Sequence, residues 1–541
     1  MLVAVRSAGA LHRLLDVLPV FDGDERISVR FTLVPGSDFD LDALAALEHS
    51  GARTLTWEAA RDGRHDLILT ASPKGALRVL TGPLALLPHG AGFNKTIADD
   101  GSPCLPSGLD PHYLLTSGEP WADLYALAHD DQLARLDRYC PPAAARATVV
   151  GDPTLDRLLA SAGRRESYRE ALGTGIRKLI ALTSTWGPES LLARRPGLPG
   201  ELAGRLPHDA YQLALILHPN EHSRTGSFDL SRHLAPALDA GLILAAPFEE
   251  WAAVLVAADA VVTDHGSTAL YAAALGRPVI GAYDGGDELL PDSPMARLLQ
   301  QVPALSASDT LERALSAAES VDTVGLAHAA FARQRESLVQ LRHEFYRLLG
   351  LRPRPVEVTA SCLPCPTTTP RRPAAFAVRA SVSGQRISVA RFATHTCEPV
   401  HHLAAEQPVA DQRQAEGAAV LWRRASRNAP ALPGGTWTAE GWTARILDDY
   451  PVCRTAAAIL TPTRCLVRHR TAGPLSIRIE PHETGGHVLR PDPAAVVSAV
   501  HAWLGSTAQP EPPVSLVCDT GLLTVRVHLA KADASDLGYE L

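Results

Sequence analysis

Long hydrophobic runs are missing from this chain of 541 residues. No segment approaches the roughly 20 uninterrupted apolar residues that a membrane-spanning helix needs. The opening residues Met1-Leu2-Val3-Ala4-Val5-Arg6 go straight into strand-like sequence, so no secretory leader is expected. Cysteine is sparse, eight in all, which excludes a disulfide framework at this length. Cys362 and Cys365 form a lone pair in a Pro/Thr-rich segment. A zinc site wants a second such pair, and Cys453 and Cys465 have the wrong spacing for it. The cysteines are therefore read as reduced thiols, and the expected compartment is the cytoplasm. Positive charge is not in excess either. A net charge of −8 argues against a general nucleic-acid binder, which needs a basic surface to release counterions, but it leaves room for a local basic pocket.

What is present is globular material. Hydrophobic residues make up 46% and charged residues 20%, away from the compositions of disordered chains, and the length suggests two to four domains. Short apolar runs at Leu2 to Val5, Ile27 to Val34, Leu67 to Thr70 and Leu84 to Leu87 alternate with helix-like stretches, Leu11 to Leu18 and Leu41 to Glu48. That alternation predicts an α/β domain on a parallel sheet. A second unit is read through a strand at Tyr113 to Thr116, a helix from Trp121 into Arg138, and a strand-turn-helix at Ala147 to Asp156. Another α/β half follows, with strands at Lys178 to Thr183, Gln212 to Leu217 and Leu242 to Ala246, then the stretch Ala257 to Ile280.

That stretch is the most legible in the chain. Ala260 to Thr263 predict a strand buried on both faces. Gly266 frees the turn, Ser267 or Thr268 can cap the next helix, Gly276 suits a left-handed C-cap, and Pro278 forbids more helix. The expected units are 1–163 and 164–350, each Rossmann-like, a Pro/Thr/Arg-rich linker at 351–375, and a small α+β domain at 376–541. The last carries no chemical motif; Pro493 to Leu504 predicts a helix, and Val514 to Cys518 with Leu522 to Leu529 a closing hairpin.

Four loops leave predicted strand ends carrying histidines or hydroxyls. His89 stands between Pro88 and Gly90, with Lys95 close behind; an imidazole, with its ordinary pKa near 6.5, can accept a proton from an attacking hydroxyl. His218-Pro219 leaves another strand, its histidine kept extended by the proline, and Asn220, Glu221 and His222 crowd the same loop. Thr185-Trp186 repeats the pattern one strand earlier, and Asp264-His265-Gly266-Ser267-Thr268 supplies hydroxyls at a helix start suited to a phosphate. Each has a purely structural alternative: a satisfied turn histidine, a capping threonine beside a buried tryptophan, or a plain βαβ corner.

In order, Pro88-His89-Gly90, Gly151-Asp152-Pro153-Thr154-Leu155-Asp156, Ser184-Thr185-Trp186, His218-Pro219, Thr263 to Thr268 and Gly276-Arg277-Pro278 resemble the CDP-glycerol glycerophosphotransferases. The resemblance covers roughly residues 1 to 345. It implies the GT-B fold, two Rossmann-type domains facing across a cleft. It also implies transfer of a glycerophosphate-like or sugar group from a nucleotide-activated donor to a hydroxyl acceptor, in cell-envelope polymer or glycan synthesis. By that resemblance His89 is the base and His218 stabilises phosphate charge. Ser267 and Thr268 hold the diphosphate, and Gly90, Lys95, Thr185, Trp186, Pro219, Glu221, Asp264, His265 and Gly266 line the substrate site. No metal cluster is visible, and no cofactor is expected beyond the donor itself. Peripheral contact with the inner membrane face is expected if the acceptor is lipid-linked. Two departures, His265-Gly266 ahead of Ser267 and Ala91-Gly92-Phe93-Asn94-Lys95 after His89-Gly90, keep two alternatives open: a UDP-GlcNAc 2-epimerase-like enzyme, or a non-catalytic nucleotide-binding scaffold.

Overall fold

The computed structural model describes residues 1–36, 40–96, 101–102, 104–283, 286–306, 310–393, 399–425, 435–506 and 511–541. Seven strands form the first sheet: β1 (Leu2–Val5), β2 (Arg30–Leu33), β3 (Thr54–Leu55), β4 (Ile68–Thr70), β5 (Leu84–Leu86), β6 (Leu124–Leu127) and β7 (Ala147–Val149), in the order β3-β2-β1-β4-β5-β6-β7. All its pairings are parallel. The second sheet holds β8 (Lys178–Ser184), β9 (Tyr211–Leu217), β10 (Ile243–Leu244), β11 (Ala260–Thr263) and β12 (Val279–Gly281), in the order β10-β9-β8-β11-β12, again parallel. Both orders reverse beside their first strand, and at such a switch point strand ends and helix starts open a crevice for ligands.

Ala257 to Ile280 folds as its residues dictate. Val261 and Val262 are fully buried, and the following helix, Thr268–Ala274, stops before Gly276, whose φ is +69°. Gly266 is favoured for a different reason than turn freedom. A Cβ there would sit 3.0 Å from Asp264 Oδ1 and 3.4 Å from the Thr185 Cβ, so a side chain fits only if these neighbours give by a few tenths of an ångström.

Two expectations fail in the first lobe. Tyr113 to Thr116 is not a sheet strand: Pro111–Leu114 is a single helical turn capped by Asp110, and Leu115–Thr116 pairs only with Glu119–Pro120. The parallel strand is β6, inside the segment expected as one helix; every residue of β6 is buried. The helix Ser337–Leu349, which falls within the expected second unit 164–350, instead crosses back. Leu338, Leu341, Phe345 and Tyr346 pack into the core made by Val3, Leu11, Leu14 and Phe21 of the first lobe.

The Gly-Asp-Pro-x-x-Asp motif fixes this crossing. Asp152 caps the helix Pro153–Ser161 through the Leu155 amide. Its carboxylate also accepts a bidentate pair from Arg13 at 3.1 and 2.8 Å and the Tyr271 hydroxyl of the second lobe at 2.8 Å. Asp156 accepts the amides of Arg335 and Ser337 just before the returning helix. At Gly151, φ is +90° and a Cβ would meet the Ala332 and Arg333 carbonyls at 3.1 Å; only glycine lets the outgoing and returning chains pass so closely.

The segment after this helix has no regular secondary structure, yet it is pinned. Leu363 is buried in the second lobe, and Glu250 accepts the Thr367 and Thr368 amides at 2.7 and 2.8 Å. Beyond it lies a separate sheet domain. Strands β13 (Ala375–Ser383), β14 (Arg386–Ala393), β15 (His402–Glu406), β16 (Val420–Arg424), β17 (Thr455–Thr461), β18 (Arg464–His469), β19 (Gly473–Ile479), β20 (Val514–Thr520) and β21 (Leu523–Lys531) close into a barrel, in the order β13-β14-β20-β21-β19-β18-β17-β16-β15. The helix Pro493–Leu504 runs through it, buried at every residue. Its sequence contains no charged residue, as a helix without a solvent face requires. Inward side chains such as Val378, Trp422, Val467 and Val527 pack around it, while outward ones such as Leu421 and Leu460 pack with Trp442 and Ile446 of the helix Ala439–Asp449. Arg391 of β14 joins this domain to the second lobe, bound to Asp209 and to Asp492.

Candidate active site

The carboxyl edges of both parallel sheets face one cavity of about 530 Å³. His89, Gly90 and Lys95 reach it from the first lobe; Thr185, Trp186, His218, Asp264, His265, Gly266, Ser267 and Thr268 reach it from the second. The approach is close: a Cβ on Gly90 would stand 3.3 Å from the Ser267 hydroxyl oxygen. Pro219 lines a smaller adjoining chamber of about 130 Å³, which shares His89, Gly90, His218, Ser267 and Thr268 with the main cavity. Glu221 lines neither; it accepts from Arg224 at 2.9 Å and from the Thr225 hydroxyl at 3.1 Å.

The loop carrying His89 is held across the cleft. Arg135 donates to the Gly92 and Phe93 carbonyls, Asn94 Nδ2 to the Ala91 carbonyl, and the Leu290 amide to the Asn94 carbonyl. Lys95 donates to Glu288 at 3.1 Å and lies 5.0 Å from the Trp186 ring centroid. Glu288 also meets His265 Nε2 at 3.3 Å, so Lys95 and His265 share one carboxylate. Asp264 is committed to backbone. Its carboxylate accepts the Thr185 and Leu191 amides at 2.7 and 2.8 Å and the Gly266 amide at 2.8 Å. It locks the two second-lobe loops together and leaves ligand contact to their hydroxyls.

His218 is the N-cap of the helix Pro219–His233, its Nδ1 accepting the Asn220 amide at 3.1 Å. A neutral ring with Nδ1 used this way carries its proton on Nε2, the nitrogen left to donate toward the cavity. Burial and the nearby His89 and Lys95 hold its pKa well below the ordinary 6.5. Ser267 occupies an N-cap position but its hydroxyl makes no capping bond. His89 is open to the water of the cleft, and the walls of both lobes strip it of bulk solvent. That desolvation, with Arg13 and Lys74 nearby, lowers its pKa, leaving a neutral imidazole at physiological pH.

Sequence reasoning missed the first-lobe wall, where Arg6, Ser7, Ser72 and Lys74 follow the ends of β1 and β4. They form no motif, and only the sheet order brings them together. Burial, then Arg6, lowers the Lys74 pKa to about 8.

His12, His89, His208 and His218 all have depressed pKa values, chiefly through desolvation. Unfolded, each titrates near 6.5, so between that value and about 4 the unfolded chain binds more protons than the native one, and stability must rise with pH across that window. The melting temperature is expected to fall steadily as pH is lowered from about 6.5 to 4. A flat profile across that range in differential scanning fluorimetry refutes the neutral assignment.

No protein-family model matches this chain, and no curated protein matches it. Some solved structures are similar to it over part of its length. The wall teichoic acid polymerase TagF is 12% identical with a TM-score of 0.43, spanning 65% of this chain and 89% of its own. A UDP-GlcNAc 2-epimerase from Neisseria meningitidis, bound to UDP-GlcNAc, is 12% identical with a TM-score of 0.41 over 64% of this chain and 98% of its own. HepE of Anabaena, in complex with UDP and glucose, is 12% identical with a TM-score of 0.38 over the same shares. Two Rossmann-like lobes facing across a cleft give this chain a GT-B-like architecture, followed by its separate barrel.

Proposed function

We propose that the chain transfers a phosphate-linked group, glycerophosphate-like or sugar, from a nucleotide-activated donor to a hydroxyl acceptor. The observation that carries the reading is the convergence of His89 from one lobe with His218 and Ser267 from the other on a single cavity, of a size that holds a small ligand. In this reading the donor diphosphate lies against His218 Nε2–H and the Ser267 and Thr268 hydroxyls. Arg6 and Lys74 make the opposite wall positive, which suits an acceptor or donor group with negative charge. The acceptor oxygen attacks phosphorus of a glycerophosphate-like donor, or the anomeric carbon of a sugar donor, while its proton passes to the neutral His89 ring. The bond from that centre to the departing nucleotide breaks, and the nucleotide keeps the electron pair. Arriving phosphate charge raises the His89 pKa from its depressed value, making the ring a stronger base when a substrate is present. Positioning and charge stabilisation supply most of the acceleration.

A thermal-shift screen of CDP-, UDP-, GDP- and ADP-linked glycerol and sugars tests this. One nucleotide class is expected to raise the melting temperature, since only the native state binds it, and Ser267→Ala with His218→Ala is expected to abolish the shift. No stabilisation by any class removes the proposal.

A further inference from the structure

Away from the cleft, imidazoles gather at one end of the barrel. His401 and His402 stand at the start of β15, His501 lies in the last turn of the central helix, and His469 ends β18. His401 is exposed, whereas His402 and His501 are 6% and 8% exposed. The His402 and His501 ring centroids are 4.6 Å apart. One nitrogen each from His401, His402 and His501 lies within 4.8 Å of the others.

Hydrogen bonding leaves this cluster incomplete. His402 Nε2 is buried with no hydrogen-bond partner among the described residues, a state that ordinarily costs roughly 1–3 kcal/mol. His501 Nδ1 meets the Thr455 hydroxyl at 2.8 Å, which orients the ring and leaves Nε2 as its other nitrogen. Metal-binding imidazoles are ordinarily aimed through the far nitrogen, most often by a carboxylate, a backbone carbonyl or water; here the Thr455 hydroxyl holds that position. His469 is set apart, its Nδ1 taken by the Thr471 hydroxyl at 2.9 Å.

We propose that His401, His402 and His501 bind one divalent transition-metal ion of the zinc type, with water completing the coordination on the open side of His401. Neutral imidazoles without competing thiolates suit zinc and its neighbours in the first transition row. Zinc–nitrogen bonds near 2.1 Å place tetrahedral ligand nitrogens about 3.4 Å apart, so the cluster closes by roughly an ångström on binding. His401, exposed and among the described residues hydrogen-bonded only to its neighbour His402 at 2.9 Å, is the side chain with room to do this. Arg454 lies near enough for His469 and His501 to feel its charge, which limits the affinity a dication reaches. The ion would clip the central helix to a wall strand, a stabilising role separate from the cleft.

The test uses the full chain treated with chelator and then dialysed against zinc sulfate. One zinc per chain is expected, with affinity weakened at least about tenfold in His401→Ala and in His501→Gln, and unchanged in His233→Ala, an exposed histidine elsewhere. Zinc is expected to raise the melting temperature of the wild-type chain and not that of His401→Ala, a surface substitution that spares the core. A chain that stays metal-free through micromolar zinc, or zinc bound equally by wild type and His401→Ala, overturns the proposal.

Discussion

Asp152→Ala is expected to destabilise the two-lobed body by about 3–5 kcal/mol, the usual consequence of removing one partner from a buried ion pair. The Asp152 side chain is fully buried and Arg13 is 13% exposed. Burial works against the Arg13 charge, and Asp152 and Tyr271 more than offset it. Without the carboxylate, the guanidinium is stranded, the Leu155 amide loses its cap, and Tyr271 loses its acceptor. Asp152→Asn keeps the cap and the hydroxyl contact and is expected to lose less. Chemical denaturation followed by fluorescence reads both, with a separate transition for the barrel allowed in the analysis because a chain of several domains need not unfold in one step. A wild-type midpoint for Asp152→Ala ends the view that this carboxylate joins the lobes.

His89→Ala is expected to lower turnover by about two to four orders of magnitude, the span a positioned base contributes, while the nucleotide that stabilises the wild-type chain binds with similar affinity. The split follows from geometry, since the proposed phosphate contacts come from the second lobe and the base from the first. Single-turnover rates with the donor identified in the thermal-shift screen measure the first quantity, and calorimetry the second. In the wild type, kcat/KM is expected to hold as pH falls through 6.5 and to drop only below it, because the free enzyme's His89 stays neutral there. Full turnover in His89→Ala removes this residue as the base.

Much of the cleft was legible because its signals are local. A β-branched run, a glycine at a left-handed position and a following proline specify Ala260 to Gly281 with little help from distant residues. The histidines at strand ends were equally visible, since a polar cluster that halts an apolar run marks the sheet edge. What stayed hidden depends on partners far along the chain. Asp264 looks the same in sequence whether it faces a ligand or the amides of Thr185 and Leu191, which arrive from another loop. Glu221 looked like a site residue until Arg224 and Thr225 took its oxygens. The apolar strand β6 was absorbed into a helical reading because helix-forming residues follow it directly. In the barrel, alternation revealed the final hairpin but not closure, and His402 meets His501 only because a helix threads the strands.

The paired passage at Gly151 bears on how substrate gains access. The chain leaves the first lobe beside Asp152 and comes back beside Arg333 to Ser337, and both strands of traffic touch at one spot. Two crossings at one seam make it the expected hinge, and the lobes part only when the Lys95–Glu288 and Asn94–Leu290 bonds across the cleft break. Any gape that admits a bulky donor must widen away from that seam, carrying His89 off the opposing phosphate contacts as it opens and returning it to register as it shuts.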